Sequence, residues 1–275
     1  MATPGSGLAV RVATALVLVG LFLSLIWIEA VQIGLVVLVT VLAGVGIREF
    51  YGLVQAKGFE VQTNIGVIVG MIIAGSAAFG RLEVINVTLV GGIVVVLFFR
   101  LIRPGATMGA LLGSAGGLVY VGWTAAHVNL MHGIEGNGTG LVTLLIVAVA
   151  LTDVGAYFVG KALGKHKLAP VVSPNKTWEG SIGGFVFTGI GMVVLWKLRE
   201  AQGWESYPDW SVSKYFAVGA VLSIASQIGD LTESAFKRDA GVKDSGALLP
   251  EHGGVLDRCD GFLFAGPVLY YLVVL

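Results

Sequence analysis

An all-α polytopic integral membrane protein is predicted by three features of this 275-residue sequence: 56% hydrophobic residues, only 12% charged residues, and long apolar runs separated by short polar stretches. The charged share is about half that of soluble globular proteins, too little to coat a water-exposed surface. Crossing about 30 Å of hydrocarbon takes roughly 20 apolar residues in a helix. About nine runs approach that length: 12–28, 31–47, 65–79, 84–99, 111–130, 140–159, 181–198, 215–228 and 261–275. The first is expected to stay as a span, because Ile28-Glu29-Ala30-Val31 leads into the next run with no small-residue cleavage site. The last is short, so either that helix is short or the end of the chain cuts it. With no internal repeat and no low-complexity linker, a single membrane domain, 1–275, is expected. In it, 1–135 supplies packing helices and 140–275 the catalytic helices and loops.

Basic residues set the expected orientation, since cytoplasmic loops carry the excess of Lys and Arg. With nine spans, thirteen of the seventeen fall on the side of the N-terminus, which is therefore predicted to be cytoplasmic; Arg81, Lys197, Arg199 and Lys214 fall on the other. Eight of the thirteen lie in two loops, where ligand binding is a competing reason for basicity. The net charge is zero, so no global field exists to hold nucleic acid. One cysteine, Cys259, excludes an intramolecular disulfide, and no Cys/His cluster has zinc spacing. Gly109, Gly113 and Gly117, like Gly66, Gly70 and Ala74, recur every four residues and permit close helix contact. Packing within the chain is the plainer use of these faces; a homodimer seam is the other. The segment 199–214, with Trp204, Tyr207 and Trp210, reads as an interfacial aromatic loop on the outer side.

The chemistry is concentrated in residues 229–260, a charged stretch between two apolar spans that mixes acids with Lys237, Arg238, Lys243 and Arg258. Such a mixture suits a hard divalent cation holding a polyphosphate, because carboxylates ligate the metal while Lys and Arg neutralise phosphate oxygens. Asp257 and Asp260 stand three apart at the entry to the last span and share one face if helical. Asp230 ends the preceding apolar run, where an uncompensated Asp costs about 2.5–3.5 kcal/mol. Metal ligation by these three acids competes with ion pairing to Arg258 or Lys237. In Pro250-Glu251-His252-Gly253-Gly254, two glycines let the backbone approach a ligand and His252 can donate to an oxygen; a plain loop turn is the alternative.

A second polar island, Ser173-Pro174-Asn175-Lys176-Thr177-Trp178-Glu179-Gly180, precedes an apolar span. Ser173, Lys176 and Thr177 offer donors to a phosphate at a helix start, or Ser173 or Thr177 simply caps the helix while Lys176 snorkels to headgroups. Asp153, in Leu151-Thr152-Asp153-Val154-Gly155-Ala156-Tyr157, interrupts an apolar span. An intramembrane acid reads as functional, with a pair to Lys161 as the alternative.

Ser234-Ala235-Phe236-Lys237-Arg238, then Lys243-Asp244-Ser245-Gly246, then Leu249-Pro250-Glu251-His252-Gly253-Gly254-Val255-Leu256-Asp257-Arg258-Cys259-Asp260, closely resembles the signature of phosphatidate cytidylyltransferases, also called CDP-diacylglycerol synthases. The TDVGAYFVGK and SPNKTWEG stretches are similar to that family too, so the likeness covers 153–260 in the family's order. Cys259 departs from the apolar or Thr residue usual there and reads as a small buried substitute. The resemblance implies transfer of CMP from CTP to phosphatidic acid, giving CDP-diacylglycerol and pyrophosphate. It implies Mg2+, with room for a second cation, in a bacterial inner membrane with the site facing the cytoplasm. It implies Asp230, Asp257 and Asp260 as metal ligands and Lys237, Arg238, Lys243 and Arg258 on phosphate charge, with Asp244 and His252 in the catalytic set. Ser173, Asn175, Lys176 and Thr177 fall to the lipid phosphate or nucleotide, together with Asp153, Tyr157, Glu179, Gly253 and Gly254. A CTP-dependent polyprenol kinase, an isoprenoid-ether cytidylyltransferase and an ion-coupled transporter using Asp153 and Asp230 are the competing readings.

Overall fold

A computed structural model describes residues 24, 26–28, 33–246 and 253–275. The first expected span, 12–28, lies almost wholly outside the described residues, as do residues 31 and 32 of the second; the described residues of the other eight are helical apart from Leu275. The order is α1 (Ile33–Ala56), α2 (Thr63–Ser76), α3 (Leu82–Leu101), α4 (Met108–Gly117), a π-helical turn (Leu118–Trp123), α5 (Thr124–His132) and α6 (Gly138–Leu163). A hairpin of β1 (Lys167–Ala169) and β2 (Ser173–Thr177) follows, then α7 (Trp178–Gln202), α8 (Val212–Asp239) and α9 (Leu256–Val274). Among the described residues, α1, α3, α6, α7 and α8 are long and apolar enough to cross a membrane. The protein is an all-α integral membrane protein.

Apolar residues surround most of these helices, so the glycine and alanine positions decide which faces meet. On α1 the buried stripe Leu35, Val39, Ala43, Ile47 and Phe50 follows the helical period. A methyl group at Gly66 would overlap the Tyr51 ring, and one at Gly70 would overlap Ile47. Gly109, Gly113 and Gly117 likewise abut Phe59, Val54 and Tyr51. Both expected small-residue faces are thus filled within the chain, by α1 and the turn after it. Tyr51 then places its hydroxyl 2.6 Å from the Ser114 carbonyl, to which it donates.

The α6–α7 seam is closer still. A Cβ at Gly155 would lie 2.9 Å from the Gly183 carbonyl, and one at Gly180 would lie 2.8 Å from the Ala156 carbonyl. Inside this seam the Thr152 and Thr188 hydroxyls bond at 2.8 Å, an interhelical contact worth about 0.6 kcal/mol in a membrane.

Two elements differ from the sequence expectation. Ser173–Thr177 is not a helix start but the second strand of an antiparallel pair, with Lys167 opposite Thr177 and Ala169 opposite Ser173. Thr177 does cap α7, its Oγ1 accepting from the Gly180 N–H at 3.1 Å. Second, 229–239 is not loop: α8 runs on to Asp239, carrying Glu233 and Lys237 as a helical i,i+4 pair at 2.5 Å. Alternating helix directions put the hairpin, the end of α8 and the start of α9 at one end of the bundle. Trp27 against Tyr207, and Trp204 stacked on Tyr207 at 5.6 Å, mark the other end.

Candidate functional site

Where α8 crosses α9, Gly229 lies so close to the chain that a Cβ there would overlap the Asp260 carbonyl and lie 3.3 Å from Gly261 Cα. Gly261 in turn abuts Ser226. This crossing explains why Asp230 and Asp260 stand side by side, since each adjoins one of its glycines. Asp153, from α6, interacts electrostatically with both, and Lys176 and Arg258 are the opposing cations. Lys176 reaches from β2 to make an ion pair with Asp230 Oδ2, while Ser234 Oγ donates to Asp230 Oδ1 at 3.3 Å. The hairpin therefore serves to aim Lys176 at the crossing. Replacing Gly229 with Ala is expected to push α8 and α9 apart, costing about 1–3 kcal/mol of stability and most of the activity; a thermal melt in detergent beside a turnover assay checks both.

Asp257 is one turn away and differently engaged. Lys237 Nζ lies 2.5 Å from its Oδ1, and Oδ2 accepts from the Ser245 N–H at 3.0 Å, the Ser245 hydroxyl at 2.9 Å and the Gly254 N–H at 2.7 Å. Gly253 has φ +82, and a Cβ there would lie 3.0 Å from Asp257 Oδ2, so glycine is needed both for the backbone turn and for the approach. Lys237 also faces Glu233; the Lys237, Asp257 and Glu233 side chains are 13%, 10% and 0% exposed, which makes this a buried acid–base–acid group. Asp257 thus pairs with Lys237, one of the two expected ion-pair partners. The described residues include no three His, Cys, Asp or Glu side chains grouped to cage a metal. Asp257 is engaged by Ser245 and Gly254, whereas Asp230 and Asp260 interact with Asp153.

The remaining expected residues divide by location. Arg238 donates to the carbonyls of Val172 at 3.3 Å and Val242 at 3.4 Å, pinning the hairpin turn to the end of α8. Glu179 accepts from the Lys165 and His166 N–H groups and lies 2.6 Å from His166 Nδ1, so it braces the connection into β1. Tyr157 is exposed one turn from Asp153, its ring 5.6 Å from Lys161 Nζ. Ser173 is half-buried and Asn175 exposed in β2; Lys243 and Asp244 are exposed after α8, and Arg258 is exposed on α9. Gly254 is buried against Glu49 and Ser245, and His252 lies outside the described residues. Cys259 lines an apolar cavity of about 470 Å³ together with Leu42, Val121, Leu145 and Phe262. A Cys259→Ser protein is therefore expected to retain at least about half its turnover, a hydroxyl replacing a thiol of similar size; complete loss in folded protein contradicts this placement.

Two contributors went unread in the sequence. Glu49, buried on α1, reaches the start of α9. Tyr120, on the π-helical turn, lies 5.2 Å ring to ring from Phe236 and interacts with Glu233, Asp260 and Asp230, its buried hydroxyl without a partner among the described residues. A π-helical turn is itself a frequent mark of a functional site.

Asp153, Asp230 and Asp260 thus share one place with Lys176 and Arg258, while Glu233 and Asp257 enclose Lys237. A polyphosphate enters such an acid-rich place only with a cation between. The model of the cytidylyltransferase family matches residues 9–275. A phosphatidate cytidylyltransferase from Brucella suis biovar 1 is 47% identical over 156 residues, 57% of this chain and 55% of that protein. One from Staphylococcus haemolyticus is 40% identical over 159 residues, 57% of this chain and 58% of that protein. One from Synechocystis sp. is 34% identical over 300 residues, covering 96% of each chain. The aligned part thus spans little more than half the length of the first two relatives and nearly all of the third.

Proposed function

The chain belongs to the cytidylyltransferase family, and from that membership we propose that it transfers CMP from CTP to phosphatidic acid, releasing pyrophosphate and forming CDP-diacylglycerol for phospholipid synthesis. The observation that carries this reading is the α8–α9 crossing, where Asp230 and Asp260 meet beside Lys176. Mg2+ fits there, because it is commonly bound through one or two carboxylates with substrate phosphates completing its shell. Bound so, it would neutralise the triphosphate and draw charge from the α-phosphorus. Asp230 and Asp260 would hold it, with Asp153 nearest for a second cation.

The chain's own residues then do the positioning. Lys176 and Arg258 offset phosphate charge at the crossing, and Lys243, exposed after α8, is a further cation for the phosphates. Lys237 stays fixed between Glu233 and Asp257, so its part is to hold the start of α9 in register with the end of α8. A phosphatidate oxygen attacks the α-phosphorus in line: the new P–O bond forms as the bond to pyrophosphate breaks, and the electron pair leaves with pyrophosphate. Phosphatidate is largely ionised near neutral pH, so no general base is required. Orientation and charge neutralisation supply the rate.

The lipid phosphate meets a soluble nucleotide at the end of the bundle that carries the hairpin, and we place that end in the cytoplasm, in a bacterial inner membrane. A cysteine at Lys165, in a Cys259→Ser background, is expected to resist an impermeant thiol reagent applied to intact cells and to react after lysis. Labelling from outside reverses this orientation. The activity is tested by giving purified protein CTP, Mg2+ and separately phosphatidate, a polyprenol and an isoprenoid-ether phosphate. The reading predicts pyrophosphate and a CDP-lipid with phosphatidate in preference to the others; release of CDP with the polyprenol identifies a kinase instead.

A further inference from the structure

Glu49 sits near the end of α1, in the half of the chain expected only to pack, yet its carboxylate lies inside the motif that follows α8. Its Oε1 accepts from the Val255 N–H at 3.1 Å and its Oε2 from the Leu256 N–H at 2.8 Å. Ser245 Oγ lies 3.3 Å from Oε2, its single proton shared with Asp257 Oδ2 at 2.9 Å. Glu49 is only 9% exposed. Two glycines make room for it: a Cβ at Gly246 would overlap Oε1, and one at Gly254 would lie 2.7 Å from Oε2.

The first N–H groups of a helix have no partner within it, and Val255 gives α9 no side-chain cap. Glu49 supplies that cap from another helix, and its negative charge suits the positive end of the helix dipole. The same carboxylate ties Ser245 to Val255 and Leu256, so both stretches flanking Asp257 close on one oxygen pair. Asp257 and Asp260 project from the first turns of α9. Whatever fixes that turn fixes the direction in which they point.

We infer that Glu49 is a positioning residue for the transfer reaction, acting as a cap supplied by α1 that sets the angle at which α9 presents Asp257 and Asp260. This rests on the cytidylyltransferase reading for its consequence in rate, but its structural half stands by itself. Glu49→Gln keeps the volume and one carbonyl oxygen but points an amide N–H at one of the backbone donors. Displacement of a catalytic group by about 1 Å can cost on the order of 10² in rate, so kcat is expected to fall by roughly 10- to 100-fold, while KM for CTP moves by less than about threefold. Hydrogen exchange at Val255 and Leu256 is expected to quicken by about tenfold or more, with the α6–α7 seam unchanged. Glu49→Asp keeps the charge but is one methylene short, and should fall between wild type and Glu49→Gln in both readings. It also replaces Glu49→Gln as the test should the latter fail to fold.

Unchanged kcat together with unchanged exchange at Val255 and Leu256 in a folded variant overturns the inference. So does recovery of full turnover by Glu49→Ala, which has no acceptor at all. Should the wild-type protein form no CDP-lipid, the proposed activity is at fault, and quickened exchange at Val255 and Leu256 in Glu49→Gln still upholds Glu49 as the cap of α9.

Discussion

Asp260→Asn protein is expected to form CDP-lipid on the order of 10² more slowly than wild type, by analogy with loss of one preorganised electrostatic group, and to need several-fold more Mg2+ to reach half of its own maximum. The substitution keeps the shape of the side chain, and the Gly261 N–H that Asp260 accepts at 2.7 Å can still bond to the amide oxygen. What is lost is one of the two charges that face each other across the α8–α9 crossing. Without a cation those charges repel, so removing one should leave the fold intact or slightly firmer. Rate against magnesium concentration, with gel filtration to confirm folding, separates this from general damage. Near-normal turnover with an unchanged magnesium curve removes Asp260 from the metal assignment.

Asp257→Asn should lose a similar factor in rate, again on the order of 10², but for a different reason and with a different signature. Its Oδ2 serves three donors and its Oδ1 faces Lys237. An amide cannot satisfy both sides at once, and Lys237 is left with only Glu233. Breaking a buried charge pair from one side costs about 3–5 kcal/mol, so stability falls along with rate while the magnesium midpoint stays in place. Lys237→Met combined with Asp257→Asn should recover part of the lost stability, with a coupling of about 0.5–3 kcal/mol. Strict additivity of the two substitutions, or a magnesium midpoint that shifts as far as in Asp260→Asn, returns Asp257 to the role of metal ligand expected from the sequence.

The contrast between these two acids shows where the sequence stops being readable. Asp257 and Asp260 are three apart and look equivalent on a helical wheel, but Ser245 and Gly254, which claim Asp257, are brought to it only by the folded chain. Asp153 and Asp230 stand out in the sequence as charges at apolar runs, Asp260 at the entry to one and Lys176 in the polar island before another, and the structure brings all four together. The apolar helices were legible for the same reason, from hydrophobic length, and among the described residues five of them are long and apolar enough to cross a membrane. The extension of α8 to Asp239 was hidden because its charges read as loop, although Glu233 and Lys237 stand at helical spacing. The hairpin of three and five residues is too short to give an alternating pattern, and Ser173-Pro174-Asn175 resembles a turn. Glu49 went unread, since nothing local to it reveals that its partners lie some two hundred residues ahead. Thr177 and Glu179 turned out to hold local structure, a helix cap and the entry to β1, as the capping alternative for Thr177 anticipated.

The most direct measurement follows both ends of the nucleotide at once: CTP labelled in its α- and γ-phosphates, incubated with purified protein, Mg2+ and phosphatidate. In-line attack on the α-phosphorus predicts that the α label enters the lipid and the γ label leaves as pyrophosphate, in equal amounts. Appearance of the γ label in the lipid with release of labelled CDP, or recovery of intact CTP while phosphatidate is present, contradicts it.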